Sequence, residues 1–364
     1  QEWALEIARK DVDAIVKNPD TPCFENTIHA LAVAGEEVGQ VTRPFFEMVN
    51  PLKTPDVQAT VNNIRPKLVQ FGMEVSMNPA LFKKIKHVYD HADRALLSVE
   101  EQTLLEKTYN KYRNSGALLK GKKRQEYQDL SQKLSQLTTE YGNNVVNSKA
   151  ALKVVIKAKD AHRLAGVPQN MLDIYRENAK NDDDPSIADD DYVITMEAPP
   201  TAIYDYAQDR SLREEVKQVA NKIGSEAPYD NTQIVHDILE TRHKIARLLG
   251  FKNHAEKTIR PDTRMAGSPQ VVMDFLQKNA KTYLPPAKAF YKDLANFARK
   301  RDGIKKLEAW DRAYYIRLMR EEQIGLDMEE IKQYFNLENV LEGMFAHNEE
   351  LYGITMREQD GKYP

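Results

Sequence analysis

Hydrophobic positions along this chain recur mainly at steps of three and four, the spacing that places side chains on one face of a helix. From Tyr127, the residues Leu130, Leu134, Leu137, Tyr141 and Val145 draw one stripe and predict a long helix. Ile234, Val235, Ile238, Ile245, Leu248 and Leu249 do the same over 231–249, and Gly250 supplies a stop. Ala287, Phe290, Tyr291, Leu294 and Phe297 draw a third stripe. Near the end, Val340, Leu341, Met344, Phe345, Leu351 and Tyr352 form the apolar side of a further helix, expected to face a core.

Start signals agree with these stripes. Thr54-Pro55, Asn78-Pro79 and Ser268-Pro269 each set a capping side chain before a proline at the first helical position. Ser98 with Glu101 reads as a capping box. The pair Pro285-Pro286 is expected to end or kink the helix that starts at Ser268. Only one region departs from the helical period. "ALKVVIKAKD" (Ala151–Asp160) and "DYVITMEAPP" (Asp191–Pro200) are short and rich in β-branched residues, and so predict strands. Between them lie a helix near Gln169–Lys180 and the acidic loop "NDDDPSIADDD". The expectation is a mainly α, multi-helix, two-lobed scaffold with a small β element near residues 151–200. An amino-terminal helical domain (1–150) would precede that element, and a second helical region (201–364) would follow it.

Composition narrows the function classes. With 364 residues, 41% hydrophobic and 29% charged, the chain is long enough for a sizeable core and has an ordinary globular balance. A formal charge of −3 gives no electrostatic footprint for nucleic acid or an anionic membrane. No apolar run approaches the ~20 residues that span a bilayer, so no membrane partner is expected. The lone Cys23 forbids an internal disulfide and most thiolate metal sites. That suits a reducing compartment without excluding the periplasm, and the compartment stays open. The start at Gln1 and the turn-like end "REQDGKYP" both read as cut ends.

Candidate chemistry is sparse. In "FAHNEELYG" (Phe345–Gly353), His347 is followed by Asn348, and Leu351 stands where a second ligand would be needed. The H-E-x-x-H geometry requires histidines at i and i+4 with a glutamate directly after the first, so Glu350, one turn behind Ala346, cannot restore it. An amphipathic helix with His347 to Glu350 toward solvent explains the segment better. His87 and His91 have the i, i+4 spacing, with Asp90 or Asp93 as a further donor, but an exposed polar face with Asp90 paired to Arg94 outweighs ligation. His236 and His243 stand two turns apart, too far for one small ion, and His29, His162 and His254 have no convincing partner. Asp182–Asp184 and Asp189–Asp191 lack the spacing of a calcium loop and read as a solvated loop. "KGKKR" (Lys120–Arg124) reads as solvated charge at a helix start. Phosphate-binding glycine loops and a G-x-S-x-G elbow are absent from the sequence. The aromatics of Trp310–Tyr315 favour a core role over a channel lining. No catalytic, cofactor-binding or metal residue is expected in this chain.

Longer blocks carry a resemblance. "FENTIHAL" (Phe24–Leu31), "LLEKTYNKYRNSGALL" (Leu104–Leu119) and "LTTEYGNNV" (Leu137–Val145) resemble the amino-terminal helical part of the M3 family of zinc oligopeptidases. "TRHKIARLLGFKNHAE" (Thr241–Glu256), "RMAGSPQVVMDFL" (Arg264–Leu276), "WDRAYYIRLMRE" (Trp310–Glu321) and "YFNLENVLEGMFAHNEELYGI" (Tyr334–Ile354) resemble the opening of that family's peptidase domain, in family order. Their detail is most similar to the peptidyl-dipeptidase (Dcp) branch, with oligopeptidase A the nearest alternative.

The resemblance implies a helical clamshell around a deep channel, a zinc ion that activates water with a glutamate as general base, and short unfolded peptides as substrates, cut to release carboxy-terminal dipeptides. It also implies that the H-E-x-x-H helix, its third glutamate ligand and the substrate-contacting loops come later than any residue here. Residues 201–364 would then be the start of the peptidase domain, and the missing carboxy-terminal catalytic half would be a partner of this chain, which is expected to be monomeric and inactive alone. Zinc is expected in the full-length parent and none here. Two rivals stand beside this reading: a stand-alone helical scaffold or partner-binding domain, and a metal binder that uses His87 and His91.

Overall fold

The structure is a computed structural model that describes residues 2–52, 54–260, 266–325 and 328–357. It is mainly α, and among the described residues the only sheet has two strands. Residues 358–364 of the turn-like end, and Arg264 and Met265 of one block above, lie outside the described residues. The chain divides into two compact units, Gln1–Tyr141 with Gln233–Lys278, and Gly142–Thr232 with Asn279–Pro364.

In the first unit, Val12, Ile15, Phe24, Ile28, Leu81, Phe82, Ile85, Leu105 and Tyr109 meet in one core. They come from helices Glu2–Lys17, Pro79–His91 and Val99–Asn114 and from a π-helical turn at Phe24–His29. Tyr89 and Tyr109 stack with ring centroids 3.8 Å apart at its edge. The caps form as the sequence predicts. Thr54 accepts from the Val57 amide at 3.3 Å, Asn78 from Ala80 and Leu81 at 3.0 Å each, and Ser268 from Val271 at 3.3 Å. Ser98 and Glu101 close a reciprocal box at 3.2 and 2.7 Å. Each occupies amide donors that a helix start leaves without partners. Helix Thr232–Leu248 ends at Gly250, whose φ of +88° lets Phe251 donate back to Ala246 at 2.9 Å.

In the second unit, strands β1 (Lys153–Ile156) and β2 (Tyr192–Thr195) pair antiparallel, with Val154 opposite Ile194 and Ile156 opposite Tyr192. Val154, Ile156 and Ile194 join Tyr175 of helix Gln169–Lys180, Ile203 of helix Thr201–Tyr206, and Leu212 and Val216 of helix Arg210–Ala220. Leu294, Ala298, Leu307, Tyr314, Tyr315 and Leu318 form a separate cluster. This places Tyr314 and Tyr315 in a core, as their spacing favours.

Two expectations differ from the structure in whole or in part. Of the two outcomes expected at Pro285-Pro286, the helix does not end there but runs from Pro269 to Asp302. The carbonyls of Lys281 and Thr282 lose their i+4 amide donors there, but the surrounding turns are exposed, so water can serve those carbonyls. The second concerns helix Leu337–Tyr352, which forms with Asn336 as its cap and Gly353 in the left-handed region. Its apolar stripe is not buried: Val340, Leu341, Met344, Phe345, Leu351 and Tyr352 are all exposed. Amphipathic spacing determines which side chains share a face; what covers that face depends on other segments.

Candidate functional site

The sequence candidates do not converge. His87 and His91 are neighbours, with stacked rings 4.4 Å apart, but His91 Nδ1 lies 2.9 Å from the His87 carbonyl oxygen. Among the described residues no group of three or more His, Cys, Asp or Glu side chains lies where it could hold a metal ion. The described residues therefore do not fit a zinc centre.

The expected Asp90–Arg94 pair is also replaced. Asp90 pairs with Lys86 inside helix Pro79–His91, whereas Arg94 lies beyond the helix end and bonds Glu106 at 3.1 Å. The i, i+4 geometry requires continuous helix, and the helix stops three residues before Arg94. His236, His243 and His347 are exposed on their helices. Lys120, Lys122 and Lys123 are exposed, and Arg124 donates to the Met77 carbonyl at 2.8 Å.

The acidic loop is not simply solvated. Lys153 reaches Asp182 at 2.6 Å, and Lys157 reaches Asp191 at 2.8 Å. Asp191 is 3% exposed and also accepts from the Ala158 and Ala188 amides, each at 2.9 Å. The Lys157 ammonium, helped by the Ala188 amide, brings its carboxyl down to about 2. Asp182 and Asp191 are neutralised by Lys153, the first residue of β1, and Lys157, just after it, and tie the loop to the sheet.

A denser arrangement lies in the second unit around helix Arg312–Ile324. Asp311, 0% exposed, accepts from Arg210 at 2.9 and 2.8 Å, from Arg213 at 3.2 Å and from the Glu308 amide at 2.9 Å. Arg213, 1% exposed, also donates to the carbonyls of Ala207, Gln208 and Trp310, and its guanidinium lies 4.2 Å from the Tyr314 ring centroid. Burial alone would raise the Asp311 carboxyl, yet the hydrogen bonds led by Arg210 hold it below its ordinary value. Every charge here has a partner, which is the condition under which buried ions are tolerated.

One turn further on, Arg317 donates through Nε to the Asp205 carbonyl at 2.7 Å and through Nη1 to both oxygens of Glu321 at 2.6 and 2.7 Å. Its guanidinium also sits 4.8 Å from the Tyr206 ring centroid. Two cavities share Tyr206, Arg317 and Glu321 as a wall. One, of about 450 Å³, is completed by Asp205, Ala313, Ile316, Arg320 and Ile324. The other, of about 630 Å³, extends past Gly166, Gln169, Asn170, Gln208 and Arg301. Both volumes suit small-molecule or short-peptide ligands. Nothing in the linear sequence singles out Asp205 or Arg317. They are 112 positions apart, and only the packing of two helices brings them together.

The sequence profile described as Peptidase family M3 matches residues 203–363, the stretch that contains Asp205, the Asp311 network and both walls of the 450 Å³ cavity. Over that stretch the chain is similar to the M3 peptidases. Similarity extends well beyond the profile match. Oligopeptidase A of Escherichia coli is 26% identical over 362 residues, covering 98% of this chain and 52% of that protein. Dipeptidyl carboxypeptidase of the same organism is 25% identical over 361 residues, covering 98% and 51%. Probable cytosolic oligopeptidase A of Arabidopsis thaliana is 28% identical over 326 residues, covering 87% and 46%. The chain thus spans about half the length of these proteins, and identities of 25% and 26% do not separate likeness to dipeptidyl carboxypeptidase from likeness to oligopeptidase A. Among the described residues no helix is long and apolar enough to cross a membrane.

Proposed function

We propose that this chain is the amino-terminal portion of a zinc metallopeptidase that removes dipeptides from the carboxyl ends of short, unfolded peptides. In this reading residues 1–150 form the amino-terminal helical domain, 151–200 the small β element and 201–364 the start of the peptidase domain. The helices serve as channel wall and steric gate. Zinc, its ligands and the general base are supplied by sequence after residue 364, and residues 1–364 contribute none of them. The assembled enzyme acts as a monomer.

The observation that carries the reading is collinear similarity over 98% of this chain to an oligopeptidase and to a dipeptidyl carboxypeptidase, each about twice as long. The exposed apolar stripe of helix Leu337–Tyr352 supports it, because a face of that kind is normally covered in a folded protein.

The test is to express the coding sequence with whatever follows residue 364 and to assay release of carboxy-terminal dipeptides from an amino-terminally blocked tetrapeptide. Activity abolished by a chelator and restored by zinc is expected, with none from residues 1–364 alone. A stop codon directly after Pro364 would leave the stand-alone scaffold as the better reading. Chelator-sensitive hydrolysis by residues 1–364, lost in His87→Ala, would instead place the metal on the His87–His91 pair.

A further inference from the structure

Within residues 279–302 of helix Pro269–Asp302, Ala280, Tyr283, Leu284, Ala287, Phe290 and Tyr291 advance by steps of three and one. Leu294, Phe297 and Ala298 continue the same steps, so at 3.6 residues per turn all of them share one face. The end of that face is packed. Leu294 and Ala298 are 1% and 0% exposed in the cluster with Tyr314, Tyr315 and Leu318 of helix Arg312–Ile324. The Phe297 ring meets Tyr315 edge-on, with centroids 6.5 Å apart. Tyr291 marks the boundary, half-exposed with its hydroxyl donating to the Leu307 carbonyl at 3.0 Å. Before it the face is bare: Tyr283 is 66% exposed and Phe290 47%, and Leu284 and both alanines are exposed too.

We infer that the bare face from Ala280 to Tyr291 is the seat of an amphipathic helix supplied by the sequence that follows residue 364. The inference rests on the reading above, in which this chain is about half of a longer protein, and adds to it a surface that receives the rest. Three features select a helix as occupant. A stripe three positions wide in every two turns is the pattern of a helix packed against other helices. Where this face is covered, a helix already covers it. Small and large residues also alternate along it, so Ala280 and Ala287 leave recesses beside Tyr283 and Phe290. Large side chains of a second helix fit such recesses at the interaxial distance of about 8–10 Å found in close helix pairs. The bare stretch rises about 17 Å, which some three turns of helix fill. The occupant therefore carries leucine or phenylalanine at helical spacing opposite the two alanines. It carries no charge at its centre, where an ion would meet only apolar groups. A second copy of this chain is the rival occupant.

The experiment places Tyr283→Lys with Phe290→Lys in two proteins, residues 1–364 and the coding sequence with whatever follows residue 364. In residues 1–364 both positions face solvent, so the melting temperature should stay within about 1 °C of the parent. In the longer protein it should fall by about 3 °C or more, because the substitutions set two ammonium groups against a packed helix. Hydrogen exchange keeps the test decisive if the longer variant fails to fold, since it needs no substitution. Amides over 287–291 should exchange at least about tenfold more slowly in the longer protein than in residues 1–364. Equal melting shifts in the two proteins, or exchange unchanged by the added sequence, would overturn the assignment. So would a concentration-dependent dimer of residues 1–364 that the two lysines disperse. A zinc-dependent dipeptidase that melts unchanged with both lysines would sink this inference alone. Protection of the face in a longer protein that hydrolyses no peptide would keep the seat and sink the peptidase reading.

Discussion

Asp311 holds two arginines with one carboxylate, and removing it isolates the Arg213 charge, which has no route to water. Arg213 is 1% exposed and would keep only carbonyl acceptors. Asp311→Ala should therefore cost about 3–5 kcal/mol in urea unfolding, the range for breaking a buried pair from one side. Asp191 makes a pH-dependent prediction. Its carboxyl lies at about 2 against an ordinary 3.8, so the stability it adds is fully present above 3.8 and is lost as pH falls toward 2. The difference in unfolding free energy between the parent and Asp191→Asn should be constant above pH 4 and close as pH falls through that window. A gap that stays open at pH 2 would show that the carboxylate's charge is not what ties the loop to β1. Glycines separate two kinds of backbone demand. Gly250 has a positive φ with nothing within 4 Å of an added Cβ, so Gly250→Ala should cost only the left-handed penalty of about 1 kcal/mol. At Gly166 the same Cβ would stand 2.4 Å from the Tyr206 carbonyl oxygen. Gly166→Ala should cost distinctly more, because the Tyr206 backbone must shift to admit the methyl group.

At the scale of elements, much was legible because its causes are local. The Ser98–Glu101 box, the Asn78 cap, the Gly250 stop and the two β-branched strands each rest on residues within a few positions of one another, and each forms. The proline pair does not end its helix, for an instructive reason. A proline deletes one hydrogen bond and crowds one carbonyl, but whether that ends a helix depends on whether the orphaned carbonyl can find water. On helix Pro269–Asp302 it can, since residues 281–290 are exposed. Replacing both with alanine should restore donors to Lys281 and Thr282. Hydrogen exchange of the amides over 287–292 should then slow by about tenfold or more if the prolines set the local opening energy. Unchanged exchange would mean that this stretch opens only with a larger unit. The cavity and the Arg213–Asp311 pair were not legible, because Asp205 and Arg317, or Arg213 and Asp311, are about one hundred residues apart and carry no periodic or capping signal.

At the scale of the whole chain, apolar area is distributed unevenly between what is packed and what is not. Leu294 is 1% exposed, whereas Leu341 and Phe345 on helix Leu337–Tyr352 are 38% and 40% exposed despite equally regular spacing. If the second stripe is a docking face, it contributes little to the stability of this chain and much to its association. Leu294→Ala should then lower the unfolding free energy by about 2–5 kcal/mol, the range for emptying a packed core position. The double variant Leu341→Lys and Phe345→Lys should leave that free energy within about 0.5 kcal/mol, because solvent-facing substitutions remove no packing. It should also reduce binding of an apolar dye and any concentration-dependent self-association of the 364-residue protein. A double variant as destabilised as Leu294→Ala would show that the stripe is packed in solution. That would remove the support it lends to a covering carboxy-terminal half, while leaving the sequence similarity to the M3 peptidases intact.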